Sequence, residues 1–466
     1  MKSRKSSRDS WSPIKNSALI SVGGLKPKKS HEIEKIQIAR KNAKITRSLG
    51  HNKNEGSDHS RFKRVKKQKA KPTNIVHEAP APYLTATHEP FHFLEFFAGG
   101  GMARAGLDPQ WKSVWANDFS AEKASVYQKN WGLGELFVGN VAHVDATSIP
   151  PAHMAWGSFP CQDLSQAGNR SGIGSEHDIA FTRSGSFWPF WKLVAQKHPP
   201  IVVLENVEGA LGANEGADLR ALCASLIRAN YKFGPMVLDA VHWVPQSRRR
   251  LFIVAVSDHM PIPPHLRTTE PEAFCHPESV VKAYRKLDPK IRASWIWWSL
   301  PFPKTLRPKV ESLIEVNADH WVEWDSLEKT KYILSLMSDL HRKKIDLAGR
   351  MNRRIIGFAY RRTRKGRQRA EVRFDGIAGC LRTAGGGSSK QIVVEVNGSL
   401  VRTRLLSPRE AARLQGLPDS YWLPDDYNEA YDLVGDGLSV PVVKFLGEEL
   451  LTPLASVIPR QVQAIA

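Results

Sequence analysis

Residues 91–118 read FHFLEFFAGGGMARAGLDPQWKSVWAND. FHFLEFF is a short apolar run that stops at glycines, and MARAGL begins with helical spacing. SVWAND is a second apolar run ending in an acid. The pattern predicts a strand, a glycine turn, a helix and a second strand. The turn is Phe97-Ala98-Gly99-Gly100-Gly101. Glycines let backbone approach a ligand closely, and a helix N-terminus favours an anionic group. Arg104 stands where a dinucleotide fingerprint would carry its third glycine, so pyrophosphate is a poor fit. A nucleoside bearing an amino-acid carboxylate fits better. Asp118, ending the second strand, is placed to hold two ribose hydroxyls, and Phe119 to stack on a purine. Glycines alone are equally consistent with an ordinary strand–helix turn; the acid at the next strand end favours the ligand.

Downstream the same rhythm continues. AEKASVYQKNW has helical spacing, HMAWGSF reads as a strand ending at PCQ, and SFWPFWKLVAQ as a helix. PPIVVLENV is a buried strand, DLRALCASLIRANY a helix, and RRLFIVAV closes the series as a strand. Alternating strands and helices predict an open, mostly parallel α/β sheet, with ligands at the carboxyl ends of its strands. The rhythm is lost over residues 257–400, which hold Trp295, Trp297 and Trp298, an amphipathic helix expected over 331–344, and a basic glycine-containing stretch. The tryptophans are expected in the core. From Leu405, SPREAARLQGL predicts a compact helix, and YDLVGDGLSVPVVKFLGEELL a loop followed by a long helix.

The chain has 466 residues, a formal charge of +21 and 41% hydrophobic residues. A balance that basic points to a polyanionic partner. Residues 1–80 carry about 21 Lys/Arg against about 6 Asp/Glu, most of the excess. Residues 1–85 are polar and Lys-rich, and are expected to form a mostly disordered arm with a short helix near 33–45. The four cysteines, Cys161, Cys223, Cys275 and Cys380, are far apart and lack zinc-ligand spacing, so neither a metal site nor a disulfide framework is expected. No run of about 18 apolar residues suggests a membrane span, and the basic, Ser-rich start lacks the apolar region of a secretory signal.

Three strand-end motifs carry the chemistry. Pro160-Cys161-Gln162 directly follows a strand, which would hold a nucleophilic thiolate rigidly at the functional edge of the sheet. Glu205-Asn206-Val207 ends the run IVVL; burial there raises a carboxyl pKa, so a neutral Glu205 can donate to a ring nitrogen. Gln246-Ser247-Arg248-Arg249-Arg250 precedes the last strand, where Arg250 can reach an exocyclic oxygen of a base and Arg248 a phosphate.

The FxGxG loop, PCQ, ENV and QxRxR in this order, with the later SPREAARLQGLPD, resemble the DNA cytosine-5 methyltransferases of the bacterial restriction-modification type. The resemblance covers residues 91–256 and 405–451. It implies a class I S-adenosylmethionine-dependent methyltransferase fold, Rossmann-like with a mostly parallel sheet, and a smaller irregular target-recognition domain. The implied division is a basic arm (1–85), a catalytic cofactor-binding domain (86–256), a target-recognition domain (257–400) and a C-terminal segment returning to the catalytic domain (401–466).

The resemblance further implies methyl transfer from S-adenosylmethionine to C5 of cytosine in a specific double-stranded DNA sequence. Cys161 would attack C6 of a flipped-out base, with Glu205 at N3, Arg250 at O2 and Arg248 also in the catalytic set. Phe97, Gly99, Gly101, Asp118, Phe119, Asn140, Val141, Pro160 and Asp436 would hold the cofactor. Gln162, Ser165, Gln246 and Arg382 would meet DNA, with residues 163–185 closing over it. Residues 361–373 and 382–390 are candidates to read base edges. The implied setting is the bacterial cytoplasm, beside the nucleoid. A monomer accompanied by a cognate restriction endonuclease is expected. Two positions depart from the family: Gly139-Asn140 stands where Asp is usual, and Gly435-Asp436 where Gly-Asn is usual. A tRNA cytosine methyltransferase is disfavoured by the missing late Cys-Phe-Thr signature. An inactive DNA-binding protein is disfavoured by the intact Cys161, Glu205 and Arg250, and a nicotinamide oxidoreductase by the incomplete glycine fingerprint.

Overall fold

The computed structural model describes residues 89–160 and 183–458, apart from 305, 318, 365 and 384–389. The basic arm, Cys161, Gln162, Ser165, most of the loop 163–185 and the greater part of 382–390 therefore lie outside the described residues.

A seven-stranded sheet is built from β1 (Phe91–Phe96), β2 (Trp111–Asp118), β3 (Leu136–Val138), β4 (Met154–Gly157), β5 (Ile201–Val207), β6 (Tyr231–Asp239) and β7 (Arg249–Ser257), in the order β3-β2-β1-β4-β5-β7-β6. Helices α1 (Met102–Leu107), α2 (Ala121–Trp131), α3 (Phe187–Lys197) and α4 (Ala217–Arg228) connect them. Strands β1 to β5 pair in parallel, while β7 runs antiparallel to both β5 and β6. Strand order reverses between β1 and β4, which opens a crevice at their carboxyl ends.

The strands are apolar on both faces because helices cover both. Phe93, Met154, Trp156, Ile201 and Val203 share one core with Met102, Leu107 and the C-terminal helices. Leu94, Phe96, Ala155, Val202 and Leu204 share the other with Phe187, Phe190 and Leu222. Each Val, Leu, Ile, Phe or Met side chain among them contributes about 1.5–3 kcal/mol when fully buried. Strands β3 and β6 escaped the sequence pattern. β3 is only three residues long. β6 contains Gly234-Pro235, which disfavours a central strand but is tolerated at the sheet edge where it lies. A Cβ at Gly234 would collide with the Ile296 carbonyl and the Trp298 indole.

That contact belongs to a segment holding β8 (Arg267–Thr268), α5 (Glu278–Arg285), α6 (Pro289–Arg292) and β9 (Trp297–Trp298). It packs on the large sheet. Ile296 N donates to Phe233 O (2.7 Å), Val237 N to Cys275 O (2.8 Å) and Trp298 Nε1 to Val254 O (3.2 Å). Trp298 is fully buried.

The second sheet starts later. Helices α7 (Leu327–Ser335) and α8 (Asp339–Gly349) precede β10 (Arg354–Arg364), β11 (Arg367–Arg373), β12 (Ile392–Asn397) and β13 (Leu400–Leu405), an antiparallel sheet in the order β11-β10-β12-β13. The single helix expected over 331–344 is thus two, divided at residues 336–338. Side chains alternate across the sheet. Ile355, Ala359, Val394 and Val396 pack with Ile333 and Ile345, whereas Ile356, Phe358 and Val393 face the large core. Strand β13 ends at Leu405, and the helices that pack under the large sheet follow it.

Helix α9 (Pro408–Leu414) opens with a capping box between Ser407 and Glu410; such a cap contributes about 1 kcal/mol. Helices α10 (Tyr427–Asp436), α11 (Val440–Leu446) and α12 (Thr452–Ala455) follow. The stretch YDLVGD therefore ends a helix instead of forming a loop. No helix among the described residues is long and apolar enough to cross a membrane.

Candidate active site

A cleft of about 1920 Å³ lies at the carboxyl ends of β1, β2, β4 and β5. Phe97, Gly99, Asp118, Phe119, Asn140, Val141, Pro160, Glu205, Arg250, Arg382 and Asp436 all line it. Residues read separately from the sequence thus face one space.

At one end the glycine turn is tightly built. Phe97, Gly99 and Gly101 have positive φ of 57°, 56° and 77°. For Phe97 that conformation is strained. A Cβ at Gly101 would strike the Trp131 indole, and one at Gly100 the Tyr421 hydroxyl. The Gly100 carbonyl accepts from both groups, at 2.9 Å from Trp131 Nε1 and 2.7 Å from Tyr421 Oη. Asp118 is buried, and its carboxylate accepts from Gly99 N (2.8 Å) and Ser120 N (2.9 Å). A carboxylate has about four lone-pair sites, so acceptor capacity remains. Phe119 is 77% exposed at the lip, a free aromatic face. Asn140 caps a short turn through Oδ1, which accepts from Ala142 N at 3.0 Å.

Glu95, which belongs to none of the sequence motifs, is 1% exposed in β1 and lines the cleft. Its Oε1 accepts from Arg104 N at 3.4 Å, while Oε2 is buried with no hydrogen-bond partner among the described residues. Burial raises its pKa to about 8, against the opposing pull of Arg104. The signal was an acid inside the apolar run FHFLEFF. An orphaned acceptor, a strained glycine turn and an exposed ring fit a nucleoside ligand with a cationic or amino-acid end.

At the other end, Glu205 is buried and ion-paired with Arg250, Oε1 to Nε 3.3 Å. Burial pushes the Glu205 pKa up, with Arg250, Arg248 and the Ser158 hydroxyl opposing it. Asn206 Nδ2 donates to Phe159 O at 3.1 Å, tying β5 to the chain just before Pro160. Cys161, Gln162 and Ser165 fall outside the described residues.

Two of the residues expected at the site, Arg248 and Gln246, are turned inward and do not line the cleft. Arg248 is 1% exposed, and its guanidinium donates to the carbonyls of Leu381 (2.9 Å), Gly435 (3.1 Å) and Gly437. The side chain is spent on backbone carbonyls and staples two segments, at Leu381 and at Gly435–Gly437, behind the cleft. Gln246 is likewise fully buried. Its Nε2 donates to Leu414 O (2.8 Å), and its Oε1 accepts from Leu381 N (3.2 Å), so both ends of the amide are held by backbone. The QxRxR spacing locates these side chains but cannot tell inward from outward on a bent strand entry. Arg382 is exposed on the cleft wall.

The structure adds Cys380. Its Sγ lies 3.6 Å from Arg248 Nη1 and 3.9 Å from Arg250 Nη1. Burial would raise the thiol pKa, but Arg248, Arg250 and Arg382 bring it below the ordinary range. No group of three or more potential metal ligands occurs among the described residues.

Comparison with known proteins identifies the family. The family model for C-5 cytosine-specific DNA methylases matches residues 91–452. The chain is 27% identical over 380 residues to the Type II methyltransferase M.NlaX of Neisseria lactamica, covering 80% of this chain and 100% of that one. It is 26% identical to M.HhaI of Haemophilus parahaemolyticus, covering 76% and 92%. Among solved structures, a triple mutant of DNMT2 from Spodoptera frugiperda matches in fold with a TM-score of 0.50 at 18% identity, covering 78% of this chain and 99% of that one. With the family model spanning most of its length, the chain belongs to the C-5 cytosine-specific DNA methylases, enzymes that methylate cytosine in DNA.

Proposed function

We propose that the chain methylates C5 of a cytosine within a specific double-stranded DNA sequence, the target base being flipped out and held covalently through C6 by Cys161. The observation that carries this reading is the buried Glu205–Arg250 pair sharing one cleft with the strained glycine turn. S-adenosylmethionine, when bound, supplies an electrophilic methyl group. Phe97, Gly99, Gly101, Asp118, Phe119, Asn140, Val141, Pro160 and Asp436 are the residues proposed to hold it. Glu95 joins them, because an ammonium near Oε2 would satisfy a buried acceptor.

Cys161 adds through sulfur to C6, breaking the C5–C6 double bond and sending its electron pair toward C5. Glu205, whose pKa burial raises, donates a proton at N3, and Arg250 faces O2. Once C5 carries the methyl group, the donor being left as a thioether, the C5 proton passes to water, the C5–C6 double bond re-forms as the thiolate of Cys161 departs, and N3 returns its proton to Glu205. Flipping costs a few kcal/mol; residues 163–185, with Gln162 and Ser165, are proposed to close over the opened duplex. The four-stranded sheet with α7 and α8 is proposed as the target-recognition domain, narrower than residues 257–400. The arginines of β10 and β11 and Arg382 are its candidate readers. Action as a monomer on DNA in a bacterial cytoplasm, alongside a restriction endonuclease, completes the proposal.

Incubating the protein with duplex DNA and a cofactor carrying a labelled methyl group tests this reading. Cys161→Ala is expected to abolish transfer while leaving duplex binding largely intact; ordinary turnover by that variant rejects the covalent mechanism. Bisulfite sequencing of host DNA after expression reports the target sequence.

A further inference from the structure

Lys123 belongs to none of the motifs, yet it lines the cleft from the first turn of α2. Its Nζ lies 2.7 Å from Oδ2 of Asp436, the last residue of α10. The two side chains are 30% and 46% exposed. A pair so exposed adds little to stability, which is little reason to hold a lysine against this wall. The wall itself supplies a better one. Asp118, Asp432 and Asp436 all act electrostatically on Lys123 and all line the cleft. An acidic wall suits a sulfonium but repels a carboxylate. The amino-acid end of the cofactor carries both signs.

We propose that Lys123 is the residue that receives the α-carboxylate of the cofactor, forming with Asp436 a two-charge clamp for its zwitterionic end. The proposal rests on the cofactor reading above and extends it to a residue outside every motif. An ammonium has three protons, so Lys123 can keep its bond to Asp436 while donating to a ligand carboxylate. Asp436 keeps Oδ1 for the ligand ammonium. The clamp also accounts for Asp at the position where the sequence departs from the family's Asn: a full negative charge holds the lysine in place, which an amide does less well.

The test compares two ligands by isothermal titration calorimetry. S-adenosylhomocysteine has the amino-acid end; 5′-deoxy-5′-methylthioadenosine keeps the purine, ribose and thioether but lacks it. Lys123→Met is expected to weaken S-adenosylhomocysteine at least about tenfold and methylthioadenosine less than about twofold. Retained methylthioadenosine affinity shows that the variant is folded. Equal weakening of both ligands, or no change in either, makes the pair a mere structural bridge and overturns the proposal, while wild-type binding of both leaves the cofactor reading standing. If wild-type protein binds neither ligand, the cofactor reading fails and the clamp fails with it.

Discussion

Glu95 and Glu205 are carboxyls near the ends of core strands, and burial raises the pKa of both. They differ in company: Glu205 has a guanidinium 3.3 Å away, while Glu95 keeps one oxygen without a partner among the described residues. For Glu95 the pKa rises from 4.5 to about 8. Between those values the folded protein holds a proton that the unfolded chain has released, so the Glu95 contribution to stability falls as pH rises from about 4.5 to about 8. Glu95→Gln removes that slope. Its Tm relative to wild type is expected to climb between pH 6 and pH 8.5 in thermal melts, and parallel curves would show that the carboxyl is not protonated in the fold. At Glu205, glutamine can still donate a hydrogen bond but cannot transfer a proton. Glu205→Gln is expected to lower kcat about 10²-fold with little change in cofactor affinity; an equal loss in cofactor binding would assign it a structural role.

Among elements, the entry to β7 decides the back wall of the cleft. Arg248 bonds three backbone carbonyls, from the segment after β11 and from the end of α10 and its exit. Gln246 links the same segment to α9. A Cβ at Gly435 would come within 2.6 Å of the Arg382 carbonyl carbon and oxygen, so the two segments are in direct backbone contact. Arg248→Met strands buried carbonyls and is expected to cost about 2–4 kcal/mol in denaturant unfolding. The salt dependence of DNA binding should stay as in wild type. A variant of normal stability with a shallower salt slope would instead make Arg248 a phosphate ligand. This is also where the sequence was least legible. QxRxR reads as a basic turn facing polyanion, yet two of its members point inward, because an arginine satisfied by carbonyls is as easily buried as a polar glutamine.

At the scale of the whole molecule, the charge of +21 is concentrated in the first 80 residues. A basic arm adds affinity through counterion release, which weakens as salt rises. Deleting residues 1–85 is expected to flatten the dependence of log Kd on log salt in duplex titrations while sparing methyl transfer; an unchanged slope rejects a DNA-binding role for the arm. The α/β rhythm, the glycine turn and the strand-end motifs were legible from the sequence alone because each is a local pattern, of period, turn chemistry or strand terminus, set by residues close together in the chain. The antiparallel course of β7, the edge strand β6, the burial of Arg248 and Gln246, and the pairing of Lys123 with Asp436 were decided only by the tertiary structure. Each depends on which distant segment supplies the facing carbonyl, ring or charge, and that partner is chosen by packing across the whole fold.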